Sequence, residues 1–279
     1  MCQLVLPRTL DSAPTMDHGD KLTHGLNNLS RLRDVVRRLT TGDRYTSRVI
    51  LDPNRPNDLV VMATLENIPP EVGFYVGDVI QSFRSSLDYL VFEMSTNYTP
   101  SMDDKALRDA EFPICGDISQ AGHAGKGREI FQSARRKIAS IHPDAQAEIE
   151  RLQPYQYGQM FQSHPLWQLN ELSRIDKHRA IHVVAAYTHQ IQAYGLRDES
   201  KATIDFHAAY APKGETEVAR ITAHERVATH QDAVDMDIRP TASIAFQGGL
   251  VANRDVPEFL NYMWLYLYRD VFPRFERFF

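Results

Sequence analysis

The sequence predicts an α+β protein in which an antiparallel sheet of about six strands is packed with long amphipathic helices. Helix-like and strand-like segments occur in blocks and do not alternate as βαβ units, which favours an antiparallel sheet. Of the 279 residues, 43% are hydrophobic and 24% are charged, a composition typical of a globular chain with a sizeable core. No repeat or low-complexity tract divides the chain, so residues 18–279 are predicted to form one domain after an extended arm at residues 1–17.

The first predicted element is an amphipathic helix from about residue 20 to residue 40. Its apolar residues recur at intervals of three and four: Leu22, Leu26, Leu29, Leu32, Val36 and Leu39. Gly42 and Asp43 end this helix. Two β-rich runs follow at 46–51 and 58–65, and the turn-forming sequence DPNRPN between them predicts a hairpin.

The longest predicted helix spans residues 71–97. Its apolar side chains form one continuous stripe: Val76, Ile80, Phe83, Leu87, Val91 and Met94. Shorter helices are predicted at 128–141 and 143–152, and the second of these is stopped by the sequence QPY at 153–155. A further helix is predicted at 165–179, since the proline at its start is tolerated in a first helical turn.

The last third of the chain predicts four strands and a final helix. The strand segments are linked by charged turns: IHVVAAYTHQIQAY, ATIDFHAAY, TEVARITA and a run ending in SIAF. The sequence from Asp255 to Glu258 resembles a capping box with proline in the first turn, and the helix it begins is predicted to run nearly to Phe279. This helix is unusually aromatic, which predicts core packing or a homodimer surface rather than a cofactor site.

Composition excludes some function classes. The formal net charge is −5, from 31 basic and 36 acidic residues, which argues against non-specific coating of nucleic acid but leaves room for a local basic pocket. The sequence contains no run of eighteen or more apolar residues, so we expect no membrane-spanning helix. The opening MCQLVLPRTL lacks the apolar region of a signal peptide. Two cysteines cannot form a disulfide framework, so we expect a cytoplasmic chain with reduced thiols.

The first candidate site lies in the middle of the longest predicted helix, in the segment FRSSLDYL. Arg84 and Asp88 are four residues apart, so they lie on one helix face and can form an ion pair. On a solvated face such a pair contributes only about 0.3–0.5 kcal/mol, and it is then an ordinary surface feature. If another element covers that face, the pair becomes a desolvated polar site.

The second candidate site is the segment Asp176-Lys177-His178-Arg179, expected where a helix ends and a strand begins. Four ionisable residues in a row are easily exposed, so a charged turn is one interpretation. Apolar sequence on both sides places the segment between packed elements, which favours a functional site instead. A histidine beside an aspartate and an arginine can exchange a proton near neutral pH, as acid–base catalysis requires.

Together with FPI at 112–114 and QPY at 153–155, the two segments resemble a group of uncharacterised bacterial proteins. In that group a helix with the pattern Leu-Arg-Ser-x-Leu-Asp-His-Leu is followed by Phe-Pro-Ile, Gln-Pro-Tyr and Asp-Lys-His-Arg. The helix pattern stands here at 83–90 and the last pattern at 176–179, so the resemblance covers most of the middle of the chain. It implies a bacterial protein and brings no assigned activity.

The helix segment alone is also similar to the Arg-x4–6-His signature of HEPN domains, many of which are helical, dimeric, metal-independent ribonucleases. Arg84 takes the arginine position, but Tyr89 stands at the histidine position. Because the unperturbed pKa of tyrosine is near 10, Tyr89 cannot readily act as a base at pH 7. The sheet-forming part of the chain is foreign to a helical HEPN fold. What this resemblance implies is an activity on RNA.

Other chemistries have little support in the sequence. His178 and His182 have a metal-binding spacing with Asp176 nearby, but the helix is expected to end near residue 179, and residues four apart in a strand are roughly 13 Å from each other. The sequence contains no G-x-S-x-G elbow, no catalytic cysteine signature and no phosphate-binding glycine loop. We therefore expect neither a metal nor a cofactor.

The leading hypothesis is a polar pocket where the helix at 71–97 meets the helix at 165–179, acting on RNA or a small anionic ligand. The predicted catalytic residues, with His178 as the acid–base group, are Arg84, Asp88, Asp176 and His178. The predicted substrate-binding residues are Lys177 and Arg179. The competing hypothesis is a non-catalytic interaction module, in which these charges form a structural network and the terminal aromatic helix is a dimer or partner surface.

Overall fold

The computed structural model describes most of the chain in nine ranges: 17–41, 44–65, 68–117, 126–178, 181–194, 202–206, 209–211, 214–223 and 237–279. The predicted arm lies almost wholly outside the described residues, and so does Arg179. The chain is α+β, as predicted, and its sheets are antiparallel. None of the described helices is both long enough and apolar enough to cross a membrane.

Seven α-helices lie within these ranges: α1 (His18–Thr41), α2 (Glu71–Tyr98), α3 (Asp104–Asp109), α4 (Gly127–Ala134), α5 (Pro143–Arg151), α6 (Pro165–His178) and α7 (Val256–Tyr266). The predicted terminal helix is α-helical only to Tyr266 and continues as a π turn at Leu267–Val271 and short 3₁₀ turns. Pro273 explains this irregular end, because its ring nitrogen cannot donate a helical hydrogen bond and its ring crowds the preceding turn.

Among the described residues, seven strands form two sheets: β1 (Tyr45–Asp52), β2 (Arg55–Leu65), β3 (Val183–Tyr194), β4 (Ala202–Phe206), β5 (Ala209–Ala211), β6 (Thr216–Ala223) and β7 (Asp237–Phe246). The first sheet has the order β1-β2-β6-β4 and the second has the order β5-β3-β7. The prediction of one sheet of about six strands is therefore wrong. The segment predicted as a single strand at 202–210 contributes β4 to the first sheet and β5 to the second.

A small hydrophobic core joins the two sheets. Leu59, Val61, Ala63 and Leu65 alternate along β2, so their side chains point to one face. On that face they pack with Ala185 and Tyr187 of β3 and with apolar residues of β6 and β7. The first sheet is thus covered by the second, and the helices lie beyond it.

The larger core is formed by the helices, with α1 and α2 packed side by side at its centre. Every residue of the predicted α2 stripe is fully or almost fully buried, and so is the α1 stripe apart from the half-buried Leu26. The two helices approach closely at Gly25, where a Cβ atom would lie only 2.6 Å from the Phe83 ring. The apolar face of α7 closes the same core, which confirms the prediction of core packing for the aromatic helix.

Candidate functional site

Arg84 lies in the middle of α2, and its side chain is only 6% exposed. One terminal nitrogen, Nη1, donates to Oδ1 of Asp88 at 2.5 Å. The other, Nη2, donates to Oε1 of Glu111 at 2.8 Å and to the backbone oxygen of Phe112 at 2.9 Å. The guanidinium therefore joins α2 to the segment that follows α3, with two carboxylates and one carbonyl as its acceptors.

Asp88 and Glu111 complete a network of four charges with Arg84 and Lys137. Oδ1 of Asp88 also accepts the backbone N–H of Phe112 at 3.0 Å, so both backbone groups of Phe112 are held by α2. Oε2 of Glu111 pairs with Nζ of Lys137 at 2.5 Å. Two cations and two carboxylates meet here, and their formal charges balance.

The two carboxylates of this network differ in their titration. Burial raises the pKa of Asp88 above its usual value, although the charge of Arg84 and the Phe112 amide act in the opposite direction. Burial also acts to raise the pKa of Glu111, but the hydrogen bond from Lys137 and the nearby charges of Arg84, Lys137 and Lys177 outweigh it and lower that pKa. Both side chains keep contact with solvent, since Asp88 is 34% exposed and Glu111 is 42% exposed.

The FPI segment is held at its other end by Gln153, the first residue of QPY. The Gln153 side chain is buried, and its Oε1 accepts the backbone N–H of Cys115 at 2.9 Å. Its Nε2 donates to the backbone oxygens of Pro113 at 2.8 Å and of Ile149 at 3.0 Å. The backbone N–H of Tyr155 donates to the oxygen of Cys115 at 3.0 Å. The segment 112–115, predicted as a buried or edge segment, is therefore fixed by side chains and turns rather than by a strand partner.

Asp176 contacts α2 one turn before Arg84. Its Oδ2 accepts from Nε2 of Gln81 at 3.0 Å, and Gln81 also exchanges hydrogen bonds with Ser173 of α6. The helices are very close at this point, because a Cβ atom at Gly77 would lie 2.2 Å from Oδ1 of Asp176. The predicted meeting of the two helices is confirmed by these contacts, but Asp176 is bonded to Gln81 and not to Arg84 or Asp88.

Lys177 and His178 are exposed in the last turn of α6. The positive charge of Lys177 lies near enough to Glu111 to lower the pKa of that carboxyl, so this end of α6 borders the Arg84 network. His178 makes no hydrogen bond or ion pair with another residue that the structure describes. The cationic side chain of Lys177 at the C-terminus of α6 is stabilised by the helix dipole, which accounts for its position without a ligand.

Sequence reasoning identified the Arg84–Asp88 pair from its spacing but missed Glu111 and Lys137. Glu111 stands directly before FPI and Lys137 belongs to the basic run at 135–137, and neither position carries a periodic signal. For Gln153 the sequence predicts the end of a helix and membership of the QPY motif, but not its contacts with the FPI segment. The adjacency of Glu111 to the FPI motif was the one available indication that this carboxylate belonged to the site.

The remaining candidates for chemistry are the thiol of Cys115 and a metal site. Cys115 is buried, and burial raises the pKa of its thiol to about 11, so it is protonated at neutral pH and a poor nucleophile. Within the described ranges, no three histidine, cysteine, aspartate or glutamate side chains are grouped so as to hold a metal ion. His182 lies beyond the end of α6 and so does not share a helix face with His178.

Comparison of the chain with protein-family models, with curated proteins and with solved structures finds no match. The function must therefore be argued from the geometry of the residues themselves.

Proposed function

We propose that the chain is a non-catalytic binding module in which the charged network around Arg84 is structural. The observation that carries this proposal is the bonding of the Arg84 guanidinium. Its side chain is almost completely buried, and its terminal nitrogens donate three hydrogen bonds to acceptors within the chain. An arginine that binds a phosphate or carboxylate substrate presents its planar fork to solvent or to a cleft. Arg84 instead presents it to a backbone segment.

The contacts of Asp176 and His178 support the same conclusion. A catalytic histidine is normally held by a carboxylate or carbonyl that fixes its tautomer and orientation. The Asp176 carboxylate accepts from Gln81, and the exposed His178 has no such partner among the described residues. The residues that the sequence groups together are thus used separately in the fold.

A second proposal retains RNA cleavage, with Asp88 as the acid–base group. The observation that favours it is that Asp88 keeps about one-third of its side chain exposed while burial raises its pKa. Carboxyl groups with a raised pKa are suited to proton transfer near neutral pH. Lys177 and His178, at the nearby end of α6, would then bind the phosphate of the RNA.

Cleavage of total bacterial RNA by the purified protein in EDTA separates the two proposals. We would compare the wild type with Asp88→Asn, His178→Ala and a control variant, Arg31→Ala, which changes an exposed residue of α1. No cleavage by any of the four supports the binding module. Cleavage that Asp88→Asn and His178→Ala both abolish, and that the control retains, overturns it in favour of a metal-independent nuclease.

A further inference from the structure

A cleft of about 510 Å³ lies where three parts of the chain meet. The C-terminal turn of α2 contributes Asn97 and Tyr98, and the start of α5 contributes His142 and Asp144. The final turns of the chain contribute three successive residues, Arg277 to Phe279. Its volume is in the range of about 300–1,000 Å³ that is usual for small-molecule sites.

Aromatic rings form the walls of this cleft and are held in place by other rings. The His142 ring meets Tyr98 edge-on with centroids 5.3 Å apart and stacks against Phe278 at 5.6 Å. Phe279 stacks on the ring of His18 at 5.0 Å. Tyr98 and Phe279 are nevertheless 52% and 48% exposed, so each leaves a large part of its surface open to a ligand. Rigid, exposed aromatic faces are the usual platform for stacking a flat ligand ring.

The polar side chains of the cleft differ from one another in what they can recognise. Arg277 is exposed and lies over the Phe278 ring at 4.8 Å, and its nearest carboxylate is that of Glu148, 3.9 Å away. The same Glu148 oxygen already accepts from Arg151 at 2.5 Å, which leaves the guanidinium of Arg277 able to bind an anion. Asn97 supplies both a donor and an acceptor, and the exposed carboxylate of Asp144 supplies acceptors.

A neighbouring backbone group selects the tautomer of the neutral His142 ring. Its Nδ1 accepts the N–H of Asp144 at 3.1 Å, so in the neutral ring the proton is on Nε2, which is then a donor. The cleft therefore combines flat rings, one exposed cation and several groups that can form hydrogen bonds with the edge of a ring. A cationic ligand is disfavoured, because Arg277 already covers one ring face and would repel a second positive charge.

We propose that this cleft binds an unpaired nucleotide, with its base stacked on Tyr98 and its phosphate on Arg277. The carboxylate of Asp144 would repel the phosphate, so the base edge lies on the Asp144 side and the phosphate on the Arg277 side. This inference rests on the proposed function, since it names the ligand class of the binding module. The nucleotide has two possible sources, a free mononucleotide and a single-stranded stretch of RNA.

Binding is tested with two probes on the full chain: AMP by calorimetry, and a fluorescein-labelled single-stranded RNA oligonucleotide by polarisation. Tyr98→Ala should weaken binding roughly 5- to 150-fold, which is the range measured for loss of one base–aromatic stack. Arg277→Ala should weaken it and reduce the salt slope by about 0.7, the value for one phosphate contact with a single strand. Tyr268→Ala is the matched control, since Tyr268 is also an exposed aromatic residue but stacks on Trp264 outside the cleft.

Binding of AMP identifies the free nucleotide as the source, and binding of the oligonucleotide alone identifies RNA. The proposal is overturned if the wild type binds neither probe, or if Tyr98→Ala and Arg277→Ala bind as the control does. Failure of the proposed function has a different signature. In that case the oligonucleotide is cleaved and Asp88→Asn stops the cleavage, while loss of binding in the Tyr98 variant still shows that the cleft is a nucleotide site.

Discussion

Replacement of Arg84 by alanine is the most direct test of the structural role of its network. The substitution removes three hydrogen bonds and leaves the carboxylate of Asp88 and the carbonyl of Phe112 without their cationic donor, while Glu111 keeps only its pairing with Lys137. Breaking a buried charge pair by removing one partner costs about 3–5 kcal/mol. Because both carboxylates are more than one-third exposed in water, part of this loss is recovered by hydration, and we expect about 3 kcal/mol.

The assay is urea unfolding followed by the fluorescence of the two tryptophans, with far-UV circular dichroism as a second probe. A loss of this size lowers the unfolding midpoint, and the slope stays unchanged if the folded and unfolded states remain as compact as before. The matched control is Arg37→Ala, which breaks an ion pair with Asp34 on an exposed face of α1. That arginine is 73% exposed, so its loss should change the free energy of unfolding by less than about 1 kcal/mol.

A double-mutant cycle between Arg84→Ala and Glu111→Ala measures the interaction itself. Residues in one hydrogen-bonded network typically couple by about 0.5–3 kcal/mol, whereas distant pairs are additive within about 0.5 kcal/mol. If Arg84→Ala changed the free energy of unfolding no more than Arg37→Ala does, the guanidinium would not be a structural link. The inward bonding would then have to be explained by a functional role.

Three further predictions concern other parts of the fold. Burial lowers the pKa of His164 to about 4 from about 6.5, so the folded state resists protonation of this ring. The stability that the neutral ring contributes is complete above pH 6.5 and falls by about 3 kcal/mol as the pH decreases towards 4, and acid unfolding of His164→Gln should lack this loss. Gly77→Ala should destabilise the chain in thermal unfolding by more than about 1 kcal/mol, because its Cβ would meet the Asp176 carboxylate, whereas an open helical site would gain stability from this change. If the terminal helix forms a homodimer, sedimentation velocity should show a dimer that Tyr262→Arg dissociates, since Tyr262 is exposed on α7; a monomer at all concentrations would contradict it.

Periodicity predicted the two long helices α1 and α2 well, because burial of one face is a property of the local sequence, whereas the helix predicted at 128–141 is α-helical only to Ala134 and ends in a 3₁₀ turn. The stripe of α2 from Val76 to Met94 is buried along its whole length, and the strands follow the predicted β-rich runs. The division into two sheets could not be predicted in this way. An alternating pattern identifies a strand with one buried face but does not identify the strand that pairs with it. β4 and β5 belong to different sheets although they stand close together in the sequence, and the sequence from 202 to 210 resembles one strand.

The candidate site was only partly predictable for a similar reason. The Arg84–Asp88 contact follows from helical spacing and could be derived from two residues alone. The partners from outside the helix could not, because Glu111 and Gln153 reach the site through segments that have no repeating pattern. Their positions depend on how α2, α5 and α6 pack, which is a property of the whole core.

The polar side chains around the FPI segment are of the types that its backbone N–H and C=O groups require as hydrogen-bond partners. Residues 112, 113, 115 and 116 are buried although they belong to no helix or strand, yet buried backbone N–H and C=O groups must be satisfied. Phe112 needs one acceptor and one donor, and an aspartate and an arginine one turn apart on α2 supply both. Cys115 needs an acceptor for its N–H and Pro113 needs a donor for its carbonyl, and a single glutamine amide, that of Gln153, supplies both.

The polar residues of the three motifs have structural roles that are easily mistaken for catalytic ones. Arginine, aspartate and glutamine are also the residues of many active sites, so a sequence that combines FRSSLDYL, FPI and QPY suggests chemistry. Each of the three polar side chains nevertheless bonds to a specific backbone group of one irregular segment, before any ligand is considered. Exposed groups without such a role are therefore the better guide to function in this fold. The open aromatic faces beside Arg277 meet that criterion, and the guanidinium of Arg84 does not.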